Sequence, residues 1–302
     1  MHTPLHALLD GGERLFWGYL LASAAIALLL SLHRGQRLTL ARAKAYFWSA
    51  DAQLDYRYFL FNWLIKALLI APFVVSAQTI ALWTLDVLNA YAEPPFLPWR
   101  YRHIVLAYTL ILFVAGDLSR YWLHRLMHAN RWLWQFHKVH HSAESLNPFT
   151  YYRLHPVENM LFALRHAMVV GAVTGGFVFC FGARLDLYTI LGSNLFIVAL
   201  FAFTSNLRHS HIRLGYGRWL EYLLVSPAQH QAHHDLRHMR RNFGSALALW
   251  DWLFGTLTLS RNVERTHRFG LGRNQRERYD SVTKLIVRPF QDIRTRMRRT
   301  VS

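Results

Sequence analysis

Four long stretches of the chain carry no charged residue: 18 residues from Leu15 to Leu32, 19 from Ala67 to Leu85, 17 from Ala167 to Ala183 and 21 from Leu187 to Leu207. A helix rises about 1.5 Å per residue and the hydrocarbon core of a bilayer is about 30 Å thick, so each run approaches the length of a membrane crossing. A further helix starts near His103, is apolar from Ile104 to Gly116, and continues through Asp117, Arg120, Tyr121 and Trp122 without a breaker. That pattern predicts a membrane helix projecting into the cytoplasm. The second candidate, about Tyr58 to Trp83, holds Lys66 and Pro72 and is expected to kink, tilt or turn back. Gly182 to Asp186 is read as the turn of a hairpin joining the last two runs. The expected fold is all-α and polytopic, with about five transmembrane helices (four as the alternative) and a cytoplasmic helical cap.

Composition agrees with a membrane protein. The 302 residues are 53% hydrophobic and 17% charged, with a mean hydropathy of +0.11, which argues against a wholly soluble chain. Aromatics at 15% and the absence of low-complexity tracts exclude disorder. The net charge of +17 would raise nucleic acid as a partner in a soluble chain. Here the basic residues lie between and after the apolar runs, as cytoplasmic loops do, so no nucleic acid is expected. Arg34, Arg37, Arg42, Lys44 and Arg57 follow the first run against Asp51 and Asp55, and twelve basic residues against four acidic ones fill Arg261 to Ser302. The connection Asp86 to Arg102, with Pro94, Pro95 and Pro98, is nearly balanced. These biases predict an outside N-terminus and an inside C-terminus. Asp10 and Glu13 ahead of the first run fit a cleaved signal peptide poorly. The single Cys180 makes no intramolecular disulfide and implies no thiolate site. Three regions are expected: membrane helices and loops over 1–102, a catalytic domain over 103–260 and a basic cytoplasmic tail over 261–302.

The chemistry lies in the histidines. Twelve of 18 fall between His124 and His234, and eight of these form three clusters: His124 with His128; His137 with His140 and His141; and His230 with His233 and His234. Residues at i, i+3 and i+4 share a helix face, so each cluster can direct two or three imidazoles to one place. Eight imidazoles held together would repel on protonation and waste buried polarity unless a cation organised their lone pairs. Imidazole suits iron, zinc, copper or nickel, and eight ligands are too many for one zinc. No Glu lies between His124 and His128, which disfavours a metalloprotease of the H-E-x-x-H kind. His33, His103, His166, His238 and His267 read as isolated core or interfacial residues. An all-imidazole two-iron centre remains.

The stretch His124-Arg125-Leu126-Met127-His128, the box His137-Lys138-Val139-His140-His141-Ser142, the segment Arg153-Leu154-His155-Pro156-Val157-Glu158 and the box His230-Gln231-Ala232-His233-His234 resemble the fatty acid hydroxylase, or sterol desaturase, superfamily. So do Asn242-Phe243-Gly244, Trp250-Asp251 and Phe254-Gly255-Thr256. The likeness runs from about His103 to Leu257. It implies that the eight clustered histidines are catalytic ligands of a cytoplasmic di-iron centre, joined by one of His209 and His211. His211 stands where the family more often has Asn, which leaves the choice between the two open. The resemblance gives His155 a role in ordering either the site or a membrane-surface helix. Asp117, seven residues before His124, is either a hydrogen-bond acceptor for a ligand imidazole or a solvated interfacial charge.

The implied reaction is dioxygen-dependent hydroxylation or desaturation of a lipid such as a sterol, fatty acyl chain, carotenoid or ether lipid. A separate donor (cytochrome, ferredoxin or reductase) must supply electrons, because the sequence has no nucleotide fingerprint and no haem-attachment motif. The basic tail would dock that donor or bind lipid headgroups. Trp122, Trp132, Trp134, Phe136, Phe149 and Tyr151 are read as lipid-path residues or, with more weight, interfacial anchors. Two other classes compete: a membrane-embedded zinc hydrolase and a non-enzymatic metal-binding membrane protein.

Overall fold

The computed structural model describes residues 6–35, 39–70, 76–182, 185–187, 189–190, 193–198, 203–264, 267–272 and 275–301. Two helices carry the architecture, α5 (Tyr101–Ala129) and α7 (Pro156–Phe181) in the numbering used below. Both are long and apolar enough to cross a bilayer. At 29 residues α5 is about 43 Å long, well beyond the hydrocarbon core, so one end must project into water. It is unbroken through Asp117 and Trp122, as its sequence predicts.

The remaining elements pack on this pair or on one another. The first apolar run forms α1 (Trp17–His33), at 17 residues, with Leu21, Leu29 and Leu32 exposed. After α2 (Leu40–Phe47), α3 (Ala50–Ile65) starts at Ser49, whose hydroxyl accepts the Ala52 N–H. α4 (Ala77–Tyr91) is capped by Ser76 and lies along α7, where the backbones approach closely. A Cβ on Gly171 would sit 2.4 Å from Ile80 Cβ, and one on Gly175 would sit 2.5 Å from the Ala81 carbonyl oxygen. Small residues are what permit such contact between apolar helices.

Two expectations are corrected. The second candidate span is not one helix: α3 ends at Ile65, a π-turn covers Lys66–Ile70, and a new helix starts at Ala77. Pro72 and Arg37 lie outside the described residues. The fifth run is not a helix in its described parts. Thr189–Ile190 (β1) pairs antiparallel with Ser193–Asn194 (β2), and short helical turns follow at Leu195–Ile197 and Phe203–Ser205. The Asn194 side chain accepts the Phe196 N–H and donates to the Thr109 carbonyl, tying this segment to α5. Residues 183–184 of the expected hairpin turn, and 191–192 and 199–202 of the run, are outside the described residues.

A polar network anchors the segment after the second histidine box to α3. The Asp55 carboxylate, fully buried, accepts from Arg153 Nε (2.5 Å), Asn147 Nδ2 (2.7 Å) and Thr150 Oγ1 (2.7 Å). Asp51 accepts from Arg153 Nη2, and Asn62 donates to the carbonyls of Tyr152 and Leu154. Every buried member has a partner, the condition under which a buried ion pair holds a loop in one place. The last helix, α10 (Val282–Val301), follows the short α6 (Leu133–His137), α8 (Pro227–His234) and α9 (Leu249–Leu253) in the chain. It packs against α3 and α6, with Asp292 accepting from Lys138 and Arg278.

Candidate metal centre

Each histidine cluster occupies a different local structure. His124 and His128 lie one turn apart at the end of α5. His137 ends α6, and His140 and His141 follow in a 3-10 turn. His230, His233 and His234 lie on α8, which begins with a capping box: Ser226 accepts the Gln229 N–H and Gln229 accepts the Ser226 N–H. His209 ends a 3-10 turn at Asn206–His209.

These elements bring nine imidazoles together in two groups. His124, His128, His137, His141 and His233 form the first; His140, His209, His230 and His234 form the second. Within each group the candidate donor nitrogens all lie within 4.8 Å of one another. In the first, His137 Nε2 is 3.1 Å from His124 Nε2 and 3.2 Å from His141 Nε2. In the second, His209 Nε2 is 3.1 Å from His230 Nε2 and 3.2 Å from His234 Nε2. The groups adjoin, since His141 and His234 stack at 4.5 Å between centroids.

Three rings of the first group are held from behind by oxygen acceptors. His124 Nδ1 is 2.8 Å from the Phe243 carbonyl, His233 Nδ1 is 2.8 Å from the Arg241 carbonyl, and His137 Nδ1 is 2.8 Å from Glu158 Oε1. A carbonyl or carboxylate oxygen only accepts, so in each ring the hydrogen belongs on Nδ1 and the Nε2 lone pair is bare. The bare lone pairs of His124 and His137 then face each other at 3.1 Å with no hydrogen to share. The buried Nε2 atoms of His128 and His233 have no hydrogen-bond partner among the described residues. Neutral rings arranged this way repel unless a cation stands among them.

Protonation is disfavoured at His124 and His128 and at most rings around them. Burial is the largest influence on these rings and disfavours the charged form. It pushes His140, His141, His230 and His234 well below the ordinary imidazole range, and the neighbouring imidazoles push the same way. Burial does the same to His209, with Arg14 and Arg208 adding to it. His233 falls to about 3 through burial, although its bond to the Arg241 carbonyl acts in the other direction.

The segment 242–256 is the scaffold behind the first group. The buried Asp251 carboxylate accepts from Phe243 N (2.8 Å), Gly244 N (2.7 Å) and Thr256 Oγ1 (2.6 Å), and burial raises its pKa to about 6. This fixes the Phe243 carbonyl behind His124 and sets the Phe243 ring 5.1 Å from that of His128. Asp117 belongs to the same scaffold. Its carboxylate accepts from Ala246 N (2.8 Å), Leu247 N (2.9 Å) and Trp250 Nε1 (2.9 Å) and is buried, so it is neither bound to an imidazole nor a solvated charge. The backbone of residues 246–247 reaches it before any histidine does.

The other expected residues divide. His209 joins the second group, whereas His211 is exposed with its ring edge-on to Tyr46 at 4.4 Å. His155 caps α7, its Nδ1 accepting the Val157 N–H and its Nε2 donating to the Ile286 carbonyl. It therefore acts on the helix that carries Glu158. His33, His103, His166, His238 and His267 belong to neither group. Of the six aromatic residues, Tyr151 lines a cavity of about 50 Å³ against His124, His137, His140, His209 and His230. The Tyr151 phenol is raised by burial but lowered more by Arg14, Arg120 and Lys66, leaving it at about 8. Trp134 packs 5.0 Å from the His128 ring; Trp122, Trp132, Phe136 and Phe149 pack elsewhere. Glu158 was legible only as part of a motif, because its partner His137 lies 21 residues upstream. No periodicity signals the Phe243 and Arg241 carbonyls.

Residues 109–256 match the family model described as fatty acid hydroxylase. Among curated proteins, the chain is 29% identical over 154 residues to an ornithine lipid hydroxylase (OlsE) of Rhizobium tropici, covering 50% of this chain and 42% of that protein. It is 28% identical over 149 residues to the alkylglycerol monooxygenase of Homo sapiens, covering 48% of this chain and 29% of the relative. To a Delta(7)-sterol 5(6)-desaturase (erg3C) of Aspergillus fumigatus it is 26% identical over 172 residues, covering 53% and 49%. The chain thus spans less than half the length of each of these relatives. No solved structure matches it. With all nine converging histidines inside the matched residues, the chain belongs to the fatty acid hydroxylase and sterol desaturase superfamily.

Proposed function

We propose that the chain is an integral-membrane oxidoreductase that holds two iron ions and uses dioxygen and external electrons to hydroxylate or desaturate a C–H bond of a lipid. One observation supports it above the others: His124 and His137, held from behind by the Phe243 carbonyl and Glu158, present bare Nε2 lone pairs to each other at 3.1 Å, and the Nε2 of His233, held by the Arg241 carbonyl, is buried beside them without a partner among the described residues. An all-nitrogen donor set of five and four imidazoles fits two first-row ions and exceeds what one tetrahedral zinc takes. His124, His128, His137, His141 and His233 would hold one ion, and His140, His209, His230 and His234 the other.

Such a pair, when bound, supplies the four-electron reduction of dioxygen to water or to water and an alcohol oxygen, with two electrons drawn from the lipid C–H and two from a donor. The protein's own part is positioning. Glu158 and the two carbonyls keep the hydrogens on Nδ1, so Nε2 stays available. Leu154, Phe162 and Phe243 form apolar wall in the small cavity, limiting water beside the histidines. The electrons come from a separate cytochrome, ferredoxin or reductase. The basic loops support a cytoplasmic side for the histidines and the C-terminus. Glu13 and Arg14 line the cavities beside the histidines, so the start of the first helix belongs to that same side rather than to the outside the loop charges predict.

Metal analysis of the purified full chain, with oxygen-dependent product detection in lipid extracts, tests the proposal. About two irons per chain and a product that requires both oxygen and reductant are expected; a single zinc with no oxygen dependence would assign a hydrolase instead.

A further inference from the structure

The small cavity beside the histidines adjoins an outer cavity of about 690 Å³, and both are lined by Arg120, Tyr151, Leu154 and Phe162. A cavity that size is in the range of small-molecule sites. Its charge is one-sided. Lys66, Arg120 and Arg165 line it against one carboxylate, the exposed Glu13, and none of the three cations makes an ion pair among the described residues. Arg120 and Arg165 belong to the two spanning helices, where an ionisable residue marks a functional position. The carboxylate acting on both, Asp117, makes an ion pair with neither and is already occupied by the 246–250 segment.

Both guanidinium groups are held against the protein. Arg165 Nη1 donates inward to the Gly116 carbonyl (2.9 Å) and Ser119 Oγ (2.7 Å), and its buried Nε has no partner. Arg120 lies over the Phe162 ring at 4.7 Å, on the wall the two cavities share. Arg120 is one turn before His124 on α5, an axial rise of about 6 Å. Arg165 is seven residues beyond Glu158 on α7, about 10 Å along the axis.

Resting on the function proposed above, we infer that the outer cavity is the head-group subsite for the substrate lipid and takes an anionic head, a carboxylate or phosphate, on Lys66, Arg120 and Arg165. The small inner cavity admits only a short piece of chain, so the oxidised carbon lies near the head and the rest of the lipid stays outside it. The site thereby selects acidic amphiphiles over neutral ones such as sterols and alkanes.

Anaerobic equilibrium binding to the detergent-solubilised full chain tests this without turnover. The probes are dodecyl phosphate, dodecanoate, dodecanol and dodecyltrimethylammonium. The two anions are expected to bind at least about ten-fold more tightly than the alcohol, as charge-assisted hydrogen bonds to arginine require. Arg165→Gln and Lys66→Gln should each weaken anion binding without changing dodecanol binding, and Arg165→Lys should restore part of the loss. Variants are compared at wild-type metal content, which separates misfolding from lost recognition. Equal affinity for anionic and neutral probes would overturn the inference. So would displacement of dodecyl phosphate by inorganic phosphate at equal concentration, which marks a free-anion site. Product analysis gives a separate reading: oxidation near the head is expected, and oxidation at the methyl end would refute the placement. Iron content and oxygen dependence report on the proposed reaction alone, so the two ideas fail independently.

Discussion

The two histidine groups share burial and donor type but differ in what stands behind the rings. In the first, His124, His137 and His233 each place Nδ1 against a carbonyl or carboxylate oxygen. In the second, no ring is seen held this way, and the buried Nδ1 atoms of His140 and His230 have no partner among the described residues, a state that His141 alone shares in the first group's described contacts. Rear acceptors fix ring orientation and raise ligand basicity. Rings without them keep their place through packing, as His209 does at the end of one four-residue 3-10 turn with edge-on contacts to His140 and His230. With three of its five rings held from behind, the first group is the more preorganised of the two, and metal should be easier to strip from the second. A chelator titration would show two phases, with the faster one lost in His230→Ala; a single phase would erase the distinction.

The largest effect is expected at His137, whose Nε2 meets both His124 and His141. His137→Ala should lower turnover by more than about 100-fold, beyond the range seen for residues behind a ligand, and abolish the slow chelation phase. Acidification of the metal-free protein comes next and should not distinguish the groups. Folded-state values below the ordinary 6.5 mean that the unfolded chain binds more protons at mildly acidic pH. Stability from this source is complete above pH 6.5 and falls as pH drops, at about 1.4 kcal/mol per pH unit for each such ring, the loss at His233 continuing to about 3. Thermal midpoints that stay flat from pH 7 to pH 5 would contradict the burial argument.

Glu158→Ala leaves the His137 Nδ1–H without its buried acceptor and should weaken the first metal site by about 10- to 100-fold, as followed by metal titration. Glu158→Gln keeps an acceptor oxygen and should lose less. Asp117→Asn should act on the fold. Three donors lose a charged acceptor, at a cost of about 1–3 kcal/mol in unfolding free energy, with metal content retained. Metal loss at unchanged stability would return Asp117 to the site. His211→Ala, the smallest, should leave metal content and activity as they are.

Much of the site is legible in the sequence because ligand clusters at i, i+3 and i+4 need only local geometry to converge. The choice between His209 and His211 was not legible, since both sit on one irregular segment and only its path decides which ring turns inward. Asp117 shows the opposite failure. Its spacing from His124 is right for a shared helix face, but the 246–250 segment, more than a hundred residues away in sequence, occupies that face. Apolar length predicted α5 and α7 well. It failed for the fifth run because an apolar segment packed on other helices need not itself be helical, and here Asn194 and a strand pair interrupt it.

The amino-acid sequence by itself determined that this is an apolar, helical, basic chain with histidines enough for two ions. These are properties of composition and of short-range periodicity, carried by residues within a few positions of one another. Only the tertiary structure decided which imidazoles stand together, which oxygens stand behind them, and where cations gather beside the cavity. Those are relations between atoms brought together from distant parts of the chain, and chain folding, not local spacing, sets their distances.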